Sequence, residues 1–146
     1  MSALERLGRF VADSDWASIS AAVRNEACRA ILNGLGCAVG SSTDPAVATL
    51  LEVLPHSPGG ATVIGRTERL DRLDAAFVNA VGINLMDYDD THLATVIHPT
   101  APVFPAVLAL AEQRDLPGAA LLHAFVLGVE VASRLGLSAS PGRRSC

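Results

Sequence analysis

Between two apolar stretches the chain places a dense polar segment, Asp87-Tyr88-Asp89-Asp90-Thr91-His92, followed after a short run by His98-Pro99. Three carboxylates this close repel one another, and gathering them costs free energy unless water, a cation or hydrogen-bond donors compensate. Histidine titrates near neutrality, and a crowded carboxylate can hold its proton to higher pH. The set therefore suits proton transfer: removal of a proton beside a carboxylate, and protonation of a departing hydroxyl. If a helix runs through the segment, Asp87, Asp90 and Thr91 share one face at i, i+3 and i+4, while Asp89 and His92 point elsewhere. His98 lies past the turn, before a proline that restricts its backbone.

The same residues admit two other readings. One is a solvated acidic helix end, although acids in a last turn oppose the helix dipole. The other is a divalent metal site, since Asp and His ligate hard and borderline cations. An Asp-rich helix can also hold Mg²⁺ with a diphosphate. Against a metal, no ligand spacing of the HExxH kind is present, the acidic motif occurs once, and the chain has no lysine to assist. The residue pattern alone leaves all three readings open.

The elements that must position this segment are helical. A chain of 146 residues suits one domain or part of a larger one. Half of the residues are hydrophobic, 18% are charged, and the mean hydropathy is +0.37. Helices are then buried on several sides, or much apolar surface meets another part or subunit. Disorder of the body is excluded by this composition. The net charge of −4, eleven dispersed arginines and scarce aromatics exclude a nucleic-acid-binding surface.

Apolar periodicity predicts helices over 3–12, 20–38, 45–54, 70–86, 101–113 and 118–136, with 61–65 extended. Asp44-Pro45 reads as an N-cap followed by a first-turn proline. Ser14 or Asp15 marks a turn, and Asp115-Leu116-Pro117 reads as a cap and helix start. No run alternates long enough for a sheet, so the expected class is all-α, an antiparallel helical bundle. The tail 138–146 reads as irregular or disordered. The stretch 116–136 is mostly apolar, but glycines, a proline, His123, Glu130 and Arg134 interrupt it. A buried helix of a soluble protein is expected there, with no membrane span.

Cys28 and Cys37 fall on one helix, on opposite faces and roughly 13 Å apart along the axis, too far to pair. They are expected to be small buried hydrophobes. A reduced, cytoplasmic setting follows, and the N-terminus has no signal core. Trp16 is expected to anchor the core, His123 to be a hydrogen-bonded core histidine, His56 to lie on a surface loop, and Glu130 to pair with Arg134 or with a neighbouring helix.

DYDDTH followed by HPT resembles the acidic segment of the MmgE/PrpD family, which includes 2-methylcitrate dehydratase, an enzyme of propionate metabolism, cis-aconitate decarboxylase and iminodisuccinate epimerase. LGRFVADSDW, ILNGLGCAVGSS, AAFVNAVGINLM, APVFPAVLALAE and LLHAFVLGVEVASRLG resemble further family segments in the right order, over about residues 4–137. The resemblance implies the N-terminal portion of a helical domain over 1–137, metal-free and cofactor-free chemistry, homodimerisation or helical self-association, and a polycarboxylate substrate. It implies Asp87, Thr91 and His98 as catalytic residues, with Asp90 and His92 binding substrate. The chain departs from the family pattern at Asn33, where an Asp is usual, and at Asn84, where a His is usual. Family members also continue well beyond this length and use lysines that have no counterpart here. The expectation is a truncated lyase of the 2-methylcitrate dehydratase kind, with little or no activity alone. The alternatives are a decarboxylase or epimerase of the same family, or a non-catalytic helical dimerisation module.

Overall fold

The computed structural model describes residues 1–54 and 58–139 and is mostly helical, as expected. Its helices are α1 (Ala3–Ala12), α2 (Ala21–Ser41), α3 (Pro45–Val53), α4 (Arg72–Asn84), α5 (Thr100–Arg114) and α6 (Gly118–Ala139). A 3₁₀ turn covers Trp16–Ser18. The helix starts are written in short polar side chains. Ser2 and Glu5 form a capping box on α1, Ser20 caps α2, Asp44 with Pro45 opens α3, and Asp71 caps α4.

Three differences from the sequence reading have local causes. A small antiparallel pair, β1 (Pro58–Thr62) and β2 (Arg69–Leu70), stands where only an extended stretch was expected. Buried Asn79 of α4 stabilises it, accepting from Ile64 N–H at 2.8 Å and donating to Thr62 C=O at 2.7 Å. Asp115 does not cap α6. It ends α5 in the left-handed region at φ 49°, which the short polar side chain of Asp tolerates. Helix α6 runs to Ala139, so the first two residues of the expected tail are helical, whereas His56 and 140–146 lie outside the described residues.

Helix α4 lies at the centre, packed on α5 and α2, with α6 laid against α5 and α2. One core cluster joins Ala27, Cys37 and Ala38 of α2 to Ile83, Phe104 and Phe125, the two rings meeting edge to face at 6.4 Å. A second gathers Val47, Leu51, Val63, Leu70 and Val78 around α3, α4 and the strands. Close approach needs small residues. A Cβ on Gly34 would come within 2.8 Å of Thr100 Cγ2, and one on Gly128 within 2.6 Å of Val103 Cγ1. Cys28 is exposed, contrary to expectation, while Cys37 is buried.

Helix α6 is apolar but lightly covered; Phe125 and Leu127 are its buried residues. By length and composition it is also apolar enough to cross a membrane. At its outer end Arg134 Nε donates to Glu130 at 2.7 Å, the expected i, i+4 pair. The N-terminal segment clasps α6. Ser14 Oγ and His123 Nε2 are 2.9 Å apart, Trp16 lies against the His123 ring, and Arg24 stacks over Trp16 at 4.2 Å. Trp16 is thus a half-buried clasp rather than a core anchor.

Candidate active site

The acidic segment is not helical. Helix α4 ends at Asn84, and Asp87 turns the chain through the left-handed region at φ 56°. The supposed shared helix face of Asp87, Asp90 and Thr91 therefore does not exist, and the side chains distribute differently.

Asp89, which helical spacing aimed away, is the buried centre of the site. Its side chain is 0% exposed. Its Oδ1 lies 3.0 Å from His98 Nδ1, and Asn84 Nδ2 sits 3.3 Å from both carboxylate oxygens. Asp87 is 82% exposed, with Oδ1 3.6 Å from His98 Nε2. His98 itself is held at its base by a closed turn. His92 N–H donates to Ile97 C=O at 2.9 Å, while the amides of Thr95 and Val96 return to His92 C=O at 3.0 and 2.8 Å. This turn folds His98 back over Asp89. Its cost is Val96 at φ 57°, a conformation that disfavours β-branched residues.

The remaining predicted residues lie apart from this centre. Asp90 Oδ1 accepts the Thr100 amide at 3.1 Å, at the start of α5, where Pro99 supplies no side-chain cap. His92 Nδ1 is 2.7 Å from Thr95 Oγ1, so its ring is tied into its own turn. Thr91 is exposed, and among the described residues no hydrogen bond joins it to Asp87, Asp89 or His98. The structure thus brings Asp87 and His98 together and leaves Thr91, Asp90 and His92 outside. It adds Asp89 and Asn84, which sequence spacing missed. The signal for Asn84 was a polar residue in the last turn of α4, just before the acidic segment.

From below, α2 fastens the segment. Asn33 Nδ2 donates to Tyr88 C=O at 3.1 Å. Burial pushes the Cys37 thiol pKa up, and the negative charges of Asp89 and Asp90 add to the effect. Among the described residues, no arginine pairs with Asp87, Asp89 or Asp90; Arg66 and Arg69 pair with Glu68 and Glu112.

One ligand atom each from Asp87, Asp89 and His98 lies within 4.8 Å of the others, which is cation-binding spacing. However, Asp89 already accepts from Asn84 and lies in contact with His98, and a cation would compete with those contacts. An open cleft of about 470 Å³ adjoins the site, lined by Val81, Asn84, Leu85, His98, Ala101 and Pro102. A slightly larger cleft, about 540 Å³, lies by Asp71, Arg72, Glu112 and Gln113. Its polar groups are already engaged with Thr62, Gln113 and the α4 amides, so the cleft beside His98 is the better site.

The arrangement offers an imidazole on a buried carboxylate, with a second carboxylate near its other nitrogen and a cleft beside it. Such a group accepts and returns protons. The sequence is 41% identical over 115 residues to a human cis-aconitate decarboxylase, covering 73% of this chain and 24% of that protein. A cis-aconitate decarboxylase of Aspergillus terreus is 33% identical over 113 residues, covering 73% of this chain and 23% of its own length. A cis-aconitate decarboxylase-like protein of Aspergillus oryzae is 29% identical over 139 residues, covering 89% and 29%. The chain thus spans about a quarter of the length of these curated relatives. Residues 5–145 match the model of the MmgE/PrpD N-terminal domain, and the chain belongs to the MmgE/PrpD family.

Proposed function

We propose that the chain is the helical part of a lyase acting on a small polycarboxylate, with His98 as the proton-transfer group and Asp87 beside it. The observation that carries this reading is the meeting of His98 with Asp87 and Asp89 next to an open cleft. Decarboxylation replaces a carbon–carbon bond with a carbon–hydrogen bond. Dehydration takes a proton from carbon and gives one to a leaving hydroxyl. Both need a group that trades protons near neutrality, and imidazole does so.

The names of the relatives favour decarboxylation of a cis-aconitate-like tricarboxylate over dehydration of 2-methylcitrate. Thr91, exposed but outside the His98 centre, serves in this reading as a hydrogen-bond donor to substrate. Asp90 and His92 are structural in this reading, since both already have partners within the loop. With no lysine in the chain and its paired arginines directed elsewhere, the cations that hold the substrate carboxylates come from outside this chain. The same reading takes the protein as a cytoplasmic homodimer, free of metal and cofactor, with no membrane or nucleic-acid partner.

The test mixes this chain with the separately expressed remainder of the human relative and follows cis-aconitate and 2-methylcitrate by NMR. The mixture is expected to consume cis-aconitate, and His98→Gln is expected to lower the rate roughly 10²–10⁴-fold. If neither compound is consumed and neither perturbs the resonances of the chain, the reading fails. Stoichiometric metal retained after dialysis would overturn the metal-free part.

A second reading is a non-catalytic helical self-association module. The lightly covered apolar face of α6 favours it. Concentration-dependent association without polycarboxylate binding would select this reading.

A further inference from the structure

We infer that Asp89 is a positioning residue: it locks the His98 ring in the Nδ1–H tautomer, leaving Nε2 as the nitrogen that exchanges protons with substrate. The inference rests on the reading of His98 as the proton-transfer group, but its structural half stands without it.

An ionised carboxylate can only accept hydrogen bonds. His98 Nδ1 lies 3.0 Å from Asp89 Oδ1, so Nδ1 must carry the hydrogen. A neutral ring then has a bare Nε2. Asp87 Oδ1 lies 3.6 Å from that nitrogen, too far for a hydrogen bond, and among the described residues no hydrogen bond engages Nε2. A free histidine side chain prefers the opposite tautomer, with the proton on Nε2, so the environment must impose this one.

The geometry is built to impose it. The Asp89 side chain is fully shielded from water, which strengthens its pull on a proton donor. The Asn84 amide touches both carboxylate oxygens at 3.3 Å and fixes the plane of the group. On the other side, the His92–Ile97 turn and Pro99 fix the backbone of His98. The ring lies between the two carboxylates, Nδ1 at 3.0 Å from Asp89 Oδ1 and Nε2 at 3.6 Å from Asp87 Oδ1. The ring is thus oriented by Asp89, with Asp87 beside its other nitrogen.

The test is spectroscopic and needs no turnover. The full chain is labelled with ¹⁵N-histidine, and long-range ¹H–¹⁵N correlation spectra are recorded at a pH where the rings are neutral. His98→Gln identifies the His98 signals. Expected is a pyrrole-type Nδ1 and a pyridine-type Nε2 for His98, retained in Asn84→Ala and reversed in Asp89→Ala. An Nε2–H ring in the wild-type chain overturns the inference, whether or not Asp89→Ala folds. So does an unchanged tautomer in a folded Asp89→Ala. If the Nδ1–H tautomer is found while no polycarboxylate binds, Asp89 is confirmed as the holder of the ring and the lyase reading alone is lost. If cis-aconitate is consumed while the wild-type ring carries Nε2–H, the lyase reading survives and the role of Asp89 is lost.

Discussion

Replacing Asp90 by Ala removes the cap on α5. Thr100 is the first residue of that helix, wholly buried at 0% exposure, and Pro99 before it offers no side-chain bond. The Asp90 carboxylate reaches across ten residues to take the Thr100 amide at 3.1 Å. Without it a buried donor is orphaned, at about 1–3 kcal/mol. The negative charge near the helix N-terminus is lost as well, about 0.3–1 kcal/mol more. The local structure has no slack, since Thr100 Oγ1 is already buried without a partner. We expect Asp90→Ala to lose about 2 kcal/mol, which at this chain length lowers Tm by about 4–8 °C. Asp90→Asn keeps an acceptor and forfeits mainly the charge, so it should lose less than about 1 kcal/mol. Urea denaturation followed by far-UV circular dichroism measures both. If Asp90→Ala falls within about 0.5 kcal/mol of wild type, or if Asn is as damaging as Ala, the capping argument is wrong.

Gly34→Ala should destabilise by about 1–3 kcal/mol, because its Cβ would meet Thr100 Cγ2 at 2.8 Å in a packed interface; thermal melts read this directly. Val96→Asn should stabilise by up to about 1 kcal/mol, since Asn tolerates the left-handed backbone that Val occupies at φ 57°; a drop in stability would mean the Val side chain is needed where it sits. A thiol reagent at pH 8 should modify exposed Cys28 well before Cys37, whose thiol is held protonated by burial and by the charges of Asp89 and Asp90; equal rates would contradict this. The Asp71 carboxyl is held below its ordinary pKa, chiefly by the Leu73 amide it caps. Its contribution is therefore full above the unfolded-state pKa of about 3.9 and is lost as pH falls through the lower folded value. Asp71→Asn should flatten stability against pH across that acid window, a change visible in pH-resolved urea midpoints.

How much of this was legible in the sequence depended on how local the cause was. Asp44-Pro45 announced the start of α3 because a cap and a first-turn proline act within three residues. The Glu130–Arg134 pair followed from helical spacing alone. The site itself was only half legible. Residue type marked Asp87 and His98, but the end of α4 is set by Asp87 entering the left-handed region, and no periodicity encodes that. With the helix gone, Asp89 turned inward, toward a histidine nine residues away. Asp90 reached a backbone amide that no side-chain pattern shows. The small β1–β2 pair depended on Asn79, a side chain from another element.

The clasp between the N-terminal segment and α6 has a kinetic consequence. Ser14 and His123 are 109 residues apart in the chain. Closing so long a loop early in folding would cost more conformational entropy than the contact returns. The bond becomes affordable only after α2, α4 and α5 have assembled and shortened the effective loop. The clasp should therefore form last and open first. Amides of α1 and the Trp16 turn should exchange with solvent ahead of those in α4, in an opening that leaves the Asp89–His98 pair intact.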